Sequence, residues 1–234
     1  MNYRDKIVLV TGASRGIGKE LVKYFLANEA TVLGLSKSDF SCDGKYFHYS
    51  CDISKGSNIH STFRKIVKDH GRIDIVINNA AVLTSQYAMI MPIQNAEDMV
   101  NTNLLGTFFV SREAVKIMRK FKHGRIINIG SMAASLEPMG DSIYAATKAG
   151  VRTLANVMSR EFSKLNITCN TLGVTAIETD MLNQLPREKI DEIIEALPVP
   201  RYANIDDITN VIDFFASDKS SYITSQTVYL GGIN

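Results

Sequence analysis

The chain has 234 residues, of which 45% are hydrophobic and 21% charged, with a formal net charge of +2. That size and composition suit one globular α/β domain spanning residues 1–234, and so small a charge excludes bulk attraction to nucleic acid or an anionic membrane surface. No apolar stretch approaches the ~20 residues of a membrane span, residues 1–6 are polar rather than the start of a signal peptide, and Cys42, Cys51 and Cys169 lack metal-ligand or C-x-x-C spacing, so a cytoplasmic protein with reduced thiols, no metal, no nucleic acid and no membrane partner is expected.

In chain order, an apolar run at 7–10 predicts a strand, and a helical pattern follows at 16–28. Strands are then predicted at 31–35 and 46–50, a helix at 57–70 and a strand at 73–77. The second half repeats the alternation: helix 97–118, strand 125–129, helix 142–164, strand 167–172, helices 187–196 and 205–216, and a short strand at 227–230. Strands that alternate with helices run parallel, because each crossover returns the chain to the same edge. Their continuous apolar character, in place of alternation, says both faces are covered. The expected fold is an α/β, doubly wound parallel sheet of the Rossmann type, about seven strands with helices on both faces. No repeat or linker divides it, and residues 181–200 are expected to form a substrate lid.

The first strand-to-helix turn reads Thr11-Gly12-Ala13-Ser14-Arg15-Gly16-Ile17-Gly18. Gly12, Gly16 and Gly18 let the backbone turn tightly and approach a pyrophosphate, while helix N–H groups at Ser14, Arg15 and Ile17 point at it. A three-glycine loop alone also fits an ordinary tight turn; its position after a strand and before a helix favours the dinucleotide. An NAD site would carry an acidic residue near the end of the second strand. Ser36-Lys37 stands there, so with Arg15 and Lys37 able to meet a 2′-phosphate, NADPH is favoured over NADH; Asp39 keeps the other choice open, and both bases also fit solvated loop charges. Asp52, followed by Ile53, follows the third strand, as an adenine acceptor or as a strand-end cap. Asn78-Asn79-Ala80-Ala81 closes the fourth strand at the ligand-binding edge, where Asn79, Ala80 and Ala81 hold a loop under the cofactor or simply form an Asn-stabilised turn.

Ser131, Tyr144 and Lys148 mark the chemical end. A tyrosine and a lysine four apart share a helix face, and a serine at the end of the preceding strand can oppose them. To act as an acid and base near neutrality a tyrosine must shift by about three pKa units, ~4 kcal/mol. A lysine ammonium at about 5 Å in an effective dielectric of about 20 supplies roughly 3 kcal/mol of that, and a hydrogen bond from Ser131 to the substrate oxygen adds on the order of 1 to 3 kcal/mol. A helical Tyr-x-x-x-Lys pair alone is also met as a half-buried ring beside a surface lysine; the strand-end serine turns the reading toward chemistry. Asn103 falls in mid-helix, where its amide competes with backbone bonding; it either has a task or faces solvent.

These residues together resemble the single-domain short-chain dehydrogenase/reductase family, and within it the 3-oxoacyl-[acyl-carrier-protein] reductases. The motifs carrying the likeness are Thr11-Gly12-x-x-x-Gly16-x-Gly18, Asn78-Asn79-Ala80, Asn103, Ser131 and Tyr144-x-x-x-Lys148. The resemblance implies that Asn103 holds a water in a proton relay to Lys148, that Lys148 also binds the nicotinamide ribose, that Ser131 orients the carbonyl and that Tyr144 is the acid. It further implies a nicotinamide cover at residues 177–181, including Ile177 and Thr179, and a homotetramer built through the helices at 97–118 and 142–164.

The chain departs from that pattern at Ala81, where glycine is usual, at Val174-Thr175, where Pro-Gly is usual, and at residues 37–45, too short for the usual helix. Lys116, Arg119, Lys120, Lys122 and Arg125 form a basic cluster that either receives an acidic acyl carrier protein or is a solvated helix end. Three functions follow. The first is NADPH-dependent reduction of a small-molecule ketone, above all a 3-oxoacyl thioester. The second is the same chemistry on a sugar or other polar ketone of cell-surface carbohydrate pathways, suggested by Val174-Thr175 and Ser85-Gln86. The third is a non-catalytic nucleotide-binding regulator.

Overall fold

A computed structural model describes residues 1–184 and 187–233. One seven-stranded parallel sheet runs through it in the order β3-β2-β1-β4-β5-β6-β7, formed by β1 (Ile7–Thr11), β2 (Thr31–Ser36), β3 (Tyr46–Ser50), β4 (Ile75–Asn78), β5 (Gly124–Ser131), β6 (Ile167–Val174) and β7 (Thr227–Tyr229). Strand side chains alternate between faces. Val8, Val10, Val32 and Ile77 therefore meet Leu21, Phe25, Ile208 and Phe215 of α1 (Gly16–Ala27) and α8 (Ile205–Ala216) on one side. Leu9, Leu33, Val76 and Ile126 meet Ile59, Ile66, Val110 and Met158 of α2 (Gly56–His70), α4 (Thr107–Met118) and α6 (Ser142–Phe162) on the other. Strand order reverses between β1 and β4, which opens a crevice at the carboxyl ends of the strands.

The helix expected at 97–118 is three pieces: α3 (Ile93–Met99), a π-helical segment (Val100–Gly106) and α4. Pro92, lacking an N–H, stands just before the first turn, where none is needed. The sequence hid this start because Ile93 is 78% exposed and breaks the expected apolar stripe. β5 and β6 run past their expected ends because the two strands go on pairing, Gly130 with Gly173 and Ser131 with Val174; within them the buried Asn128 and Asn170 find partners, Asn78 Nδ2 donating to Asn128 Oδ1 (2.8 Å) and Asn170 Nδ2 to the Ile223 carbonyl (3.0 Å). β4 begins at Ile75 and not at 73, since the Asp74 carboxylate accepts from the Ile7 N–H (2.8 Å) and from Arg72 Nε (2.7 Å). Residues 37–45 contain no helix, and the short α5 (Ala133–Leu136) was not expected.

The basic cluster needs a correction. Arg125 is 1% exposed and donates to the Gly124 carbonyl (3.0 Å), so it belongs to the sheet and not to a surface patch. Lys116 pairs with Glu113, which leaves Arg119, Lys120 and Lys122 as exposed charges of that group. Cys42, Cys51 and Cys169 are free thiols. No helix among the described residues is long and apolar enough to cross a membrane.

Candidate active site

The glycine loop lies at the strand-order reversal. Gly12 has φ +67°, and a Cβ there would come within 2.9 Å of the Ala80 backbone; at Gly18 a Cβ would land on the Gly12 carbonyl oxygen. Both positions are therefore closed to any side chain. α1 begins after Arg15 with no side-chain cap and no acidic residue in its first turn, so its leading N–H groups and the positive end of its dipole are left for an anion. Asn79 Nδ2 donates to the Thr11 carbonyl (2.9 Å), and the Asn79 and Ala80 N–H groups donate to Thr11 Oγ1 (3.0 Å each), tying the loop after β4 to the end of β1. Ala81 fits without a positive φ.

These elements bound a cleft of about 530 Å³. Its wall brings together Gly12, Ser14, Arg15, Gly16, Ile17, Ser36, Lys37, Asp52, Ile53, Asn79, Ala80, Ala81, Ile177 and Thr179 from the nucleotide end and Ser131, Tyr144 and Lys148 from the chemical end. Gly18 lies behind that wall, fully packed, and Asn103 does not reach it. Asp52 Oδ1 accepts from the Ser54 N–H (3.1 Å) and Ser54 Oγ (2.7 Å), so one of its oxygens is spent on a strand-end cap. Of the expected lid, Met181, Leu182, Gln184, Ile190 and Ile193 line the cleft, while residues 185 and 186 lie outside the described residues.

Ser131 is the last residue of β5, and its Oγ accepts from the Ala133 N–H (3.2 Å). Tyr144 and Lys148 occupy successive turns of α6, both buried, with Lys148 Nζ 5.7 Å from the Tyr144 ring centre. Lys148 Nζ donates to the Ile129 carbonyl at 2.8 Å. Asn103, expected either to work or to face solvent, is 2% exposed within the π-helical segment. Its Oδ1 accepts from the Val82 N–H (2.8 Å) and its Nδ2 donates to the Val82 carbonyl (2.9 Å) and to Thr147 Oγ1 (3.2 Å). Thr147 Oγ1 in turn donates to the Tyr144 carbonyl (2.7 Å). Asn103 thus pins the loop after β4 to the turn that carries Tyr144 and Lys148.

Burial is the larger influence on both titrating groups, against the expectation that Lys148 would dominate Tyr144. Burial pushes the Tyr144 phenol up to about 12, a hydrogen bond with Ser131 pulls it back, and the charge of Asp141 adds to the rise. Burial also pulls the Lys148 ammonium down to about 8. The sequence argument counted the attraction and left out desolvation of both partners. At neutral pH these directions leave the phenol protonated and the amine mostly cationic, the states required of a proton donor and its neighbouring charge.

Asp141 and Thr147 escaped the sequence reading. Asp141 precedes the expected helix and carries no motif, and Thr147 was hidden between the two motif residues; only the folded chain sets one in the cleft wall and the other beneath Tyr144.

The short chain dehydrogenase family model matches residues 6–190. The 3-oxoacyl-[acyl-carrier-protein] reductase FabG of Escherichia coli is 34% identical over 241 residues, covering 99% of this chain and 98% of that protein; FabG of Vibrio cholerae is 33% identical over 240 residues, covering 99% and 98%. Among solved structures, ligand-free aldohexose dehydrogenase of Thermoplasma acidophilum has a TM-score of 0.90 at 28% identity, covering 98% of this chain and 94% of that one. A putative gluconate dehydrogenase from Agrobacterium tumefaciens shares the fold, with a TM-score of 0.91 at 24% identity over 99% of this chain and 96% of that one. The chain belongs to the short-chain dehydrogenase/reductase family, oxidoreductases that interconvert CH–OH and C=O groups with a nicotinamide dinucleotide.

Proposed function

We propose that this chain is an NADPH-dependent carbonyl reductase acting on a 3-oxoacyl thioester. The observation carrying the reading is that Ser131, Tyr144 and Lys148 share one cleft with an uncapped helix N-terminus and with Lys37. When bound there, the reduced dinucleotide supplies hydride to the carbonyl carbon.

The chain's own residues do the rest. N–H groups from Ser14 to Ile17 hold the pyrophosphate. Arg15 and Lys37 meet a ribose 2′-phosphate, which Ser36 adjoins, and Asp52 and Ile53 flank the adenine. The NADPH preference is supported by the absence of a carboxylate at the end of β2 and by the position of Asp39, whose side chain is 96% exposed and 3.7 Å from His48 Nε2. Asn79, Ala80 and Ala81 support the cofactor from below, while Ile177 and Thr179 cover the nicotinamide. Ser131 donates a hydrogen bond to the substrate oxygen. Tyr144 then gives that oxygen its proton: the phenolic O–H breaks and the alcohol O–H forms. Lys148 binds the ribose and holds positive charge beside the phenolate, and Asn103 fixes the path by which the proton is restored.

Apolar walls from Leu83, Met132, Met181, Leu182 and Ile190 support an acyl chain, with residues 181–200 as its lid. The FabG relatives support the thioester, and the exposed Arg119, Lys120 and Lys122 support docking of an acyl carrier protein. We place the enzyme in the cytoplasm as a homotetramer, supported by exposed Leu105, Phe108 and Val157 on the two helical stretches expected to pack between subunits. A second reading, reduction of a sugar or other polar ketone, is favoured by Asp141 and Thr175 in the same cleft.

Oxidation of NADPH and NADH followed in parallel against 3-oxoacyl thioesters, ketosugars and simple ketones tests this. The expected result is fastest turnover with NADPH and a 3-oxoacyl thioester; a faster ketosugar selects the second reading, and turnover with none of them contradicts both.

A further inference from the structure

Asp141 occupies the N-cap position of α6, where an aspartate ordinarily turns its carboxylate back onto the first helix N–H groups. It does not do so: its backbone has φ −108° and ψ 23°, and its side chain makes no capping hydrogen bond. The residue is only 7% exposed. Its Oδ1 is buried, and no side chain or backbone group among the described residues bonds to it. Asp141 lines the cleft together with Ser85, Pro138, Ser131 and Tyr144. Three residues before Tyr144, it shares that residue's helix face.

A carboxylate oxygen withdrawn from water and left without a donor is an unfavourable arrangement that folded proteins rarely keep. Here a cap was available to Asp141 and was passed over. Asp141 belongs to the wall of the cleft where a ketone must present its carbonyl. We propose that Asp141 is a substrate-recognition residue, whose carboxylate accepts a hydrogen bond from the substrate beyond the carbonyl held by Ser131 and Tyr144, either from a hydroxyl on the adjoining carbon or from an amide N–H farther along the arm. The inference rests on the carbonyl-reductase reading. A hydroxyl is what a polyol ketone offers, and an amide N–H is what the arm of an acyl thioester offers. A ketone with neither leaves the oxygen unpaired, and sites built around such a bond reject the analogue that lacks it.

Two matched pairs separate the sources. Hydroxyacetone and butanone differ by OH against CH₃; the N-acetylcysteamine thioester of 3-oxobutanoate and its S-pentyl thioester differ by an amide. The readout is the ratio of kcat/KM within each pair, for wild type, Asp141→Ala, Asp141→Asn and Asp141→Ser; a ratio taken within one variant cancels any loss of folded enzyme. The expected result is at least a tenfold fall of the ratio in Asp141→Ala for one pair, partly restored in Asp141→Asn, and the pair that responds identifies the donor. Ratios that stay within twofold of wild type in both pairs overturn the proposal. If NADPH is oxidised with no ketone, the reductase reading fails by itself. Calorimetric affinities of the same pairs for the NADPH-loaded protein then decide on Asp141 by the same ratios.

Discussion

The Lys148 ammonium donates to the Ile129 carbonyl of β5 at 2.8 Å while sitting 5.7 Å from the centre of the Tyr144 ring. Strand and helix are thereby joined where Ser131, Tyr144 and Lys148 line the cleft, and the lysine has a backbone partner of its own. The cost of this arrangement is a buried cation. Burial lowers its folded pKa to about 8 from the ordinary lysine value of 10.5, so the fold prefers the neutral amine. The stability this group contributes is complete above pH 10.5 and is lost as pH falls through about 8. The stability of wild type minus that of Lys148→Met should therefore rise by about 3 kcal/mol between pH 7 and 10.5. Urea unfolding at a series of pH values measures this, and a difference that stays flat would show that burial of the ammonium carries no such penalty.

Asn103 reaches the same turn through Thr147, by bonds of 3.2 and 2.7 Å. Thr147→Val keeps the shape and removes the hydroxyl, at an expected cost of about 1–3 kcal/mol in stability because a buried donor loses its partner. Turnover should fall roughly tenfold from misplacement of Tyr144, with the cofactor Kd unchanged. Thr147→Ser should restore most of it. Equal kcat in Thr147→Val and wild type would reduce this link to packing.

At the nucleotide end, Gly18→Ala sets a methyl group against the Gly12 carbonyl oxygen. Since that oxygen is backbone, the loop must move, and dinucleotide affinity should fall by at least about tenfold, in keeping with the third glycine's close-packing role. Fluorescence titration of NADPH checks this; wild-type affinity would mean the loop has slack that the packing does not reveal.

In the proposed reading, cofactor choice turns on Lys37, the cleft residue that follows β2. Lys37→Asp exchanges a phosphate partner for a ribose-hydroxyl acceptor. The ratio of kcat/KM for NADPH over NADH should drop by at least roughly tenfold, and an unchanged ratio would relocate the discrimination to another part of the cleft.

The parallel sheet and the glycine loop at its edge were legible in the sequence because they depend on local signals: β-branched runs alternating with helical patterns, and glycines between a strand and a helix. Tyr144 and Lys148 were legible for the same reason, as neighbours on one turn. What escaped depends on contacts distant in sequence. The last residues of β5 and β6 were missed because Gly130 and Ser131 are held in the sheet by Gly173 and Val174, which lie far along the chain. Arg125 was read as surface because the Ser217 carbonyl that receives its Nε lies far along the chain. The rise of Tyr144 was missed because desolvation depends on how α6 packs, which spacing does not encode. Asp141 was passed over because only the fold sets it in the cleft wall.

Proton donation by Tyr144 is tested most directly by Tyr144→Phe, which keeps the ring and removes the phenolic oxygen. Single-turnover oxidation of bound NADPH by a 3-oxoacyl thioester should slow by a factor of roughly 10² to 10⁴, with NADPH affinity within twofold of wild type. A variant that oxidises NADPH at the wild-type rate would contradict the assignment of Tyr144 as the acid.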